Sequence, residues 1–516
     1  LSRWLFLRLL GVIYLIAFLS VWCQIDGLIG SNGILPAEEF HRTARDQLGV
    51  QAYWKLPTLC WLSASDAMLH GLCVAGCSLA IMLIVGVAPI PVLLLLWTVY
   101  LSLVVDGQAF LSFQWDILLL ETGFLAIFLA PACLLPRPSR ERPPLASSVV
   151  LLHWLLFKLL FLSGVTKLLS GDAAWWQLTA LDVHYETQPL PIWIAWYAHQ
   201  LPHWFQQTCV VIMFIIEMGV PFLIFTTRYL RVVACAALML LQLLIAATGN
   251  YCFFNVNTML LCVLLLDDRV LRRLAPSRWT TWIGQEHPVS LAALRLRRMA
   301  LIPIILLFVV SGLTFIQEMV RTHQGAAARK QDDKLPTSVA VSLNGLDRYV
   351  MSWAQPVVLK WITPFRTISG YGLFRVMTME RPEIIVEASQ NGREWVEYPF
   401  RWKPGDLAGR PRFNTPHQPR LDWQMWFASL NPSGNAYWLE RFLQRLLEGS
   451  PSVQALLGDS PFAGQPPRYV RLVYYRYHFT NWESDHATGN WWRREKLGNL
   501  SGPVSLDAFG RRPGGK

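Results

Sequence analysis

Five ionisable residues stand where the sequence is otherwise apolar enough for a bilayer. Asp116 and Glu121 lie in "GQAFLSFQWDILLLETGFLAIFLAP" (107–131), and Glu217 lies in "MFIIEMGVPFLIF". Lys158 and Lys167 follow His153 in "HWLLFKLLFLSGVTKLLSGD". One ionised residue near the centre of a membrane helix costs ~3 kcal/mol on insertion, so each group must be paired, wet or functional. Two chemistries follow from two acids and two bases. One is a set of interhelical ion pairs that fixes packing. The other is a polar site built from Lys158, Lys167, Glu121 and Glu217, with Lys167 as a base or a substrate clamp, since burial can bring a lysine toward neutral pH. Asp116 falls at the mouth of its span, where a carboxylate caps a helix N-terminus and stays in water. Glu121 lies ~7.5 Å deeper along the axis, and Lys158 and Lys167 are its two available partners.

A second polar group sits between spans. "GDAAWWQLTALDVHYETQPLP" presents Asp182, His184 and Glu186 at alternating positions, and "HQLPH" adds His199 and His203. These are zinc-ligand types, but HExxH is absent and Pro202 interrupts the helical spacing a zinc pair would use. No metal or cofactor is expected. Gln114, Asp116, Asp182, His184 and Glu186 read instead as a polar motif of the outer loops, with Trp and Tyr forming an interfacial belt. A third group lies in "NTPHQPRLDWQMWFASL" (414–430), where His417, Arg420 and Asp422 precede Trp423, Trp426 and Phe427. One reading is a loop pinned by an Arg420–Asp422 pair onto an aromatic core. The other is a partner-binding surface, because Trp and Arg are over-represented at interface hot spots. The chain contains no GxSxG, phosphate loop or dinucleotide fingerprint.

The elements that must position these groups are mostly membrane spans. Of 516 residues, 53% are hydrophobic and 15% charged, against about 25% charged in soluble domains. Nine runs reach or approach the ~20 residues a span needs: 5–24, 66–86, 89–105, 116–135, 147–168, 204–226, 229–247, 252–266 and 299–319. With the N-terminus in the cytoplasm, the inner segments collect Arg137, Arg140 and Arg142, then Arg228 and Arg231, then Arg269, Arg272, Arg273, Arg278, Arg295, Arg297 and Arg298. Segments such as "DGQAFLSFQWD" and "TGNYCFFN", on the other side, carry no Lys or Arg. This is the positive-inside pattern. It accounts for the net charge of +11 without nucleic acid, for which neither a zinc finger nor a basic helix is present. Nine spans put residues 321–516 and segments 25–65, 106–116, 169–203 and 248–255 outside the cytoplasm. The N-terminal run lacks a small-residue cleavage site and reads as a retained span; the start at Leu1 rather than Met predicts further residues upstream. All nine Cys fall between Cys23 and Cys262. Cys73 and Cys77 read as packing residues, while Cys23, Cys60 and Cys252 near one membrane face leave a disulfide open.

The expected architecture is thus a polytopic α-helical bundle (1–320), a polar linker (321–340) and a β-rich α+β or β-sandwich-like extracytoplasmic domain (341–516). Residues 371–379, 383–389, 394–402 and 468–480 read as strands, with Asn391-Gly392 as a hairpin turn. Residues 435–449 read as a helix with Trp438, Phe442 and Leu446 on one face and a stop at Gly449.

Several long blocks resemble the lipase maturation factor family: "RLLGVIYLIAFLSVW", "GLIGSNGILPA", residues 107–131, "LLSGDAAWWQLTALDVHYETQPLP", "YGLFRVMTMERPEI" and "PHQPRLDWQMWFASL". The resemblance implies an integral membrane folding factor, resident in the endoplasmic reticulum in animals, whose lumenal domain engages a secreted lipase or other exported client; in a bacterium the membrane would be the plasma membrane. It implies no catalytic residues and no cofactor, and membrane lipid is the other expected partner. Over a shorter stretch, "GVTKLLSGDAAWW", the membrane half is similar to vitamin K-dependent gamma-carboxylase and its bacterial relatives, which implies a membrane enzyme with Lys167 in an outer polar pocket.

Overall fold

The computed structural model describes residues 1–136, 143–274, 291–331, 334–462 and 465–510. Arg137, Arg140, Arg142 and Arg278 lie outside the described residues. The apolar runs become α1 (Ser2–Trp22), α2 (Ile25–Ile29), α3 (Asp66–Val85), α4 (Pro89–Asp106), α5 (Gln114–Leu129), α6 (Ala146–Leu169), α7 (His203–Phe214), α8 (Arg228–Thr248), α9 (Phe254–Val263) and α10 (Leu291–Ala328). Among the described residues, seven helices are long and apolar enough to cross a membrane. Two of the nine expected spans become shorter helices, α5 with 16 residues and α9 with 10, below the ~20 of a typical crossing. α7 continues to Phe225 through a π-turn at Ile215–Gly219 and a 3₁₀ stretch at Val220–Phe225. Pro221 lacks the N–H that would bond the carbonyl of residue 217, so the regular helix cannot continue there.

α10 runs beside α6, with Trp154 Nε1 donating to Ser311 Oγ at 2.9 Å and Arg329 Nη2 donating to the Ser170 carbonyl at 3.2 Å. The helix thus carries on to residue 328, inside the stretch read as polar linker. The chain then reverses. α11 (Thr337–Leu346) and the helical turns to Ile362 run back along α10, burying Leu343, Met351, Ala354 and Leu359 against Val310, Leu313 and Val320. After a tight turn at Thr363–Phe365, the chain returns in irregular form between the helices. Gly370 lies against Glu318, Arg375 pairs with Glu318 at 2.6 Å, and the Met377 N–H donates to Asp172 at 2.6 Å. The strand expected at 371–379 is therefore absent. Its backbone has side chains of the bundle as partners and no neighbouring strand.

Four antiparallel strands follow: β1 (Arg381–Ser389), β2 (Val396–Glu397), β3 (Tyr469–Phe479) and β4 (Trp492–Asn499), in the order β2-β1-β3-β4. β1 and β3 match the expected strands. The expected 394–402 strand shrinks to two residues, because Pro399 has no N–H for a ladder and the N–H groups of Trp402 and Lys403 donate to Asp422. Between β2 and β3 lie α12 (Arg420–Leu430), α13 (Ala436–Leu447) and α14 (Pro451–Gln454). The stretch 414–430 is thus largely helix rather than loop. Gly449, at φ +73°, ends α13 as its sequence predicts. All nine Cys are free, so no disulfide joins Cys23, Cys60 and Cys252.

One core runs through both halves. Leu421, Trp423 and Met425 of α12 belong to the same buried cluster as Trp115, Leu118 and Tyr14 of the bundle.

Candidate functional site

Most of the polar residues singled out in the sequence converge where the bundle meets the C-terminal half. α12 is the element that brings several of them together. Its first residue, Arg420, is completely buried and grips Asp116 in a two-pronged pair, with Nη1–Oδ2 at 2.9 Å and Nη2–Oδ1 at 2.8 Å. Tyr100 donates its hydroxyl to the same carboxylate at 2.5 Å, and Arg420 also donates to the Phe110 carbonyl at 2.8 Å. Asp116 is therefore not a solvated cap, and Arg420 does not pair with Asp422. The fork of a guanidinium matches a carboxylate in a way an ammonium cannot. Gln24 completes the seam by accepting from the Arg420 N–H at 2.9 Å and donating to the Gln418 carbonyl at 2.7 Å.

Asp422 turns the other way and accepts the N–H groups of Trp402 at 3.0 Å and Lys403 at 2.9 Å. Burial pushes its carboxyl up to about 6, against the pull of those two N–H groups. His417 meets Ser20 Oγ at 3.0 Å. Burial first, and then the charge of Arg420, hold its imidazole down at about 4. Trp423 and Trp426 are 3% and 5% exposed. Trp423 packs edge-on to Trp115 with centroids 4.7 Å apart, and the Trp426 indole donates to the Thr187 carbonyl at 3.0 Å. Of the three aromatics, only Phe427 reaches the surface, at 38% exposure.

The residues of the expected outer-loop motif reach other loops and the C-terminal half rather than one another. Glu186 accepts from the Phe479 N–H at 2.9 Å and lies 3.3 Å from His478. Asp182 pairs with His203 at 2.8 Å. His184 meets the Tyr251 hydroxyl at 3.2 Å, and burial with nearby Lys167 lowers its pKa to about 4. Gln114 starts α5, with its Oε1 buried and lacking a hydrogen-bond partner. Among the described residues, no group of three or more His, Cys, Asp or Glu is arranged to hold a metal ion.

The intramembrane charges form two separate pairs. Lys158 donates to Glu121 at 2.6 Å, with both side chains sealed from solvent. The second oxygen of Glu121 accepts the Ser369 N–H at 3.0 Å and the Tyr371 hydroxyl at 2.6 Å. This acid therefore fastens the returning chain to α5. Lys167 donates to Glu217 at 2.6 Å and to the Ser163 carbonyl at 3.1 Å, and lies 5.2 Å from the Trp175 ring centre. The π-turn that follows α7 carries Glu217 at this contact. Lys167 and Glu217 line a cavity of about 480 Å³ between α6, α7, α8 and α9.

Sequence reasoning missed three anchors. Arg381, fully buried, donates to the carbonyls of Glu186, Gln188 and Pro189 and pairs with Glu383 at 2.7 Å, while burial lowers its pKa. Asn250 accepts the N–H groups of Asn414 and Thr415 and donates to the Arg412 carbonyl. Tyr371 holds Glu121. Their signal is slight: a charge opening a β-branched strand, an amide in an uncharged loop and a Tyr between glycines.

Comparison with known proteins identifies the family. The lipase maturation factor transmembrane domain matches residues 1–273, and the lipase maturation factor C-terminal domain matches residues 367–502. Lipase maturation factor 2 of Homo sapiens is 35% identical over 98% of this chain and 83% of its own length. Lipase maturation factor 2 of Rattus norvegicus is 37% identical over 97% and 83%, and lipase maturation factor 1 of Bos taurus 33% identical over 98% and 89%. No solved structure matches the chain. With both domains matched and relatives aligned almost end to end, this integral membrane protein belongs to the lipase maturation factor family.

Proposed function

We propose that the chain is a membrane-anchored factor that assists the folding and assembly of a secreted lipase. The observation that carries this reading is the alignment of relatives named lipase maturation factors over 98% of the chain. In this reading the N-terminus is cytoplasmic, as the Arg distribution argues, and the C-terminal domain faces the lumen of the endoplasmic reticulum or, in a bacterium, the periplasm. The membrane unit is residues 1–320, and the client is met by the 341–516 unit together with the outer loops. Phe427, Leu430 and Tyr437, each more than a third exposed, are the residues of the α12–α13 region suited to contact it. His417, Arg420, Asp422, Trp423 and Trp426 act behind that surface by holding α12 in register. The ion pairs of Lys158 and Lys167 support a structural role for both bases.

The test is the specific activity of a secreted lipase, per unit of lipase antigen, in cells with and without the protein. Activity per antigen is expected to rise several-fold with the native chain and with Lys167→Met, and to stay at the baseline with Phe427→Asp. Loss of the effect in Lys167→Met alone, with the protein present at normal level, would favour intramembrane chemistry instead.

A further inference from the structure

The chain between Gln331 and Met377 leaves one end of the bundle and comes back to it. The Gln331 carbonyl closes on Gly171, and the Met377 N–H donates to Asp172 at 2.6 Å, both just past the end of α6. Three contacts show how far the chain reaches in between. Gln324 of α10 donates to Asp347 at 2.9 Å, which sets the returning helix in register with α10. At up to ~1.5 Å per residue, Trp353, Val357 and Trp361 then lie ~9, ~15 and ~21 Å farther in, about level with Glu318, Thr314 and Val310. Those three belong to the apolar span Ala300–Ala328. Phe365, in the turn, lines a groove with Trp97 and Leu101 from the middle of α4. Tyr371, on the way back, donates to Glu121, whose partner Lys158 sits midway along α6.

We propose that residues 337–377 form a re-entrant segment, inserted into the leaflet on the side of the C-terminal half, and that acyl chains cover its outer face. That face carries Tyr349, Trp353, Val357 and Trp361, all exposed and four residues apart. An α-helix has ~3.6 residues per turn and a π-turn more. The π-turns at Asp347–Met351 and Gln355–Leu359 therefore keep a four-residue repeat in line. In water such a row would be an adhesive patch. Here it continues the exposed apolar surface of Ile302, Ile305, Leu306 and Val309 on α10. The donors of the segment suit lipid. The hydroxyls of Ser342, Ser352 and Thr363 and the Trp353 indole each donate to the carbonyl four residues back, so they need no water. Tyr349 is the member of the row nearest the polar end, where its hydroxyl meets head groups. Gln355 is uncharged. Lys360 holds its ammonium over the Trp361 ring at 6.0 Å, a contact that strengthens out of water, and its long stem lets it rise toward the head groups. The edge of the membrane unit thereby moves from residue 320 to residue 377, whichever client the protein serves.

The test uses the full chain in phosphatidylcholine nanodiscs, in two measurements. In the first, the native chain is irradiated with phosphatidylcholine that bears a diazirine in the middle of one acyl chain. Label is expected on the peptide that holds residues 349–361, as on residues 301–309 of α10, and not on α13 or β4. In the second, Val357→Cys and Ser338→Cys are treated with a charged, membrane-impermeant maleimide, and modification of the peptide that carries each new thiol is followed by mass spectrometry. Both positions are exposed, so neither change disturbs packing. Val357→Cys should react at least ~10-fold more slowly than Ser338→Cys, because a thiolate does not form in hydrocarbon. Equal rates would place the face in water and overturn the proposal. Slow reaction without lipid label on 349–361 would mean that protein covers the face, a second copy or a client, and would overturn it as well.

Discussion

Asp116 and Arg420 show how a single pair joins distant parts of the chain. Both are wholly buried, so removing one leaves the other charged and unpartnered. Arg420→Met is expected to destabilise the protein by ~3–5 kcal/mol, read as a lowered melting temperature in detergent. Arg420→Lys should recover little of this, and Asp116→Leu with Arg420→Met should recover most. Two neighbours carry opposite pH dependences. Asp422 is raised to about 6 from an ordinary 3.8, so its contribution is full below 3.8 and is lost as pH rises through about 6. His417 is lowered to about 4 from 6.5, so its contribution is full above 6.5 and is lost as pH falls toward about 4. These two groups offset one another across this window, which leaves His184, also held at about 4, to lower the native melting temperature on acidification. Asp422→Asn, which keeps an acceptor for the two N–H groups, should make stability fall more steeply on acidification, and His417→Asn should do the reverse. Thermal scans between about pH 4 and 7 would reveal equal slopes if either assignment is wrong. At this scale the partner of Glu121 is legible to within two lysines, because charges in apolar runs must find each other. The partner of Asp116 is not. Arg420 lies 304 residues away, and local spacing carries no information about such a contact.

Among the elements, the returning segment from Thr337 to Tyr371 is the least legible. Asp347, Arg348, Pro356 and Lys360 interrupt its apolar pattern, so it reads as part of a soluble domain. Only packing on α10 reveals its place. The long spans, β1, β3 and α13 are legible because their apolar period is set by their own neighbours. Residues 371–379 have strand-like composition, but a strand exists only beside another strand. A close approach gives a test at this scale. Gly27 in α2 faces α14, and a Cβ there would collide with the Ser452 carbonyl oxygen. Gly27→Val is expected to push α14 away and cost ~1–3 kcal/mol, read as faster proteolysis of the C-terminal half. Unchanged proteolysis would mean that this contact is not needed for docking.

At the scale of the whole molecule, the two halves share one core and are not independent bodies. Residues 367–516 expressed alone should give no cooperative thermal transition, because Trp423 would lose Phe113 and Trp115 as neighbours and Leu421 and Met425 would lose the bundle side of their shared core. A sharp transition in that fragment would show that the sheet carries its own stability. The Asp116–Arg420 pair also has a consequence in time. Translation proceeds at ~5–20 residues per second, so the 304 residues that separate the two take about 15–60 s to make. For that interval Asp116 waits in a nascent bundle without its counter-charge. A ribosome that stops before residue 420 leaves that carboxylate without the guanidinium that pairs with it in the finished fold.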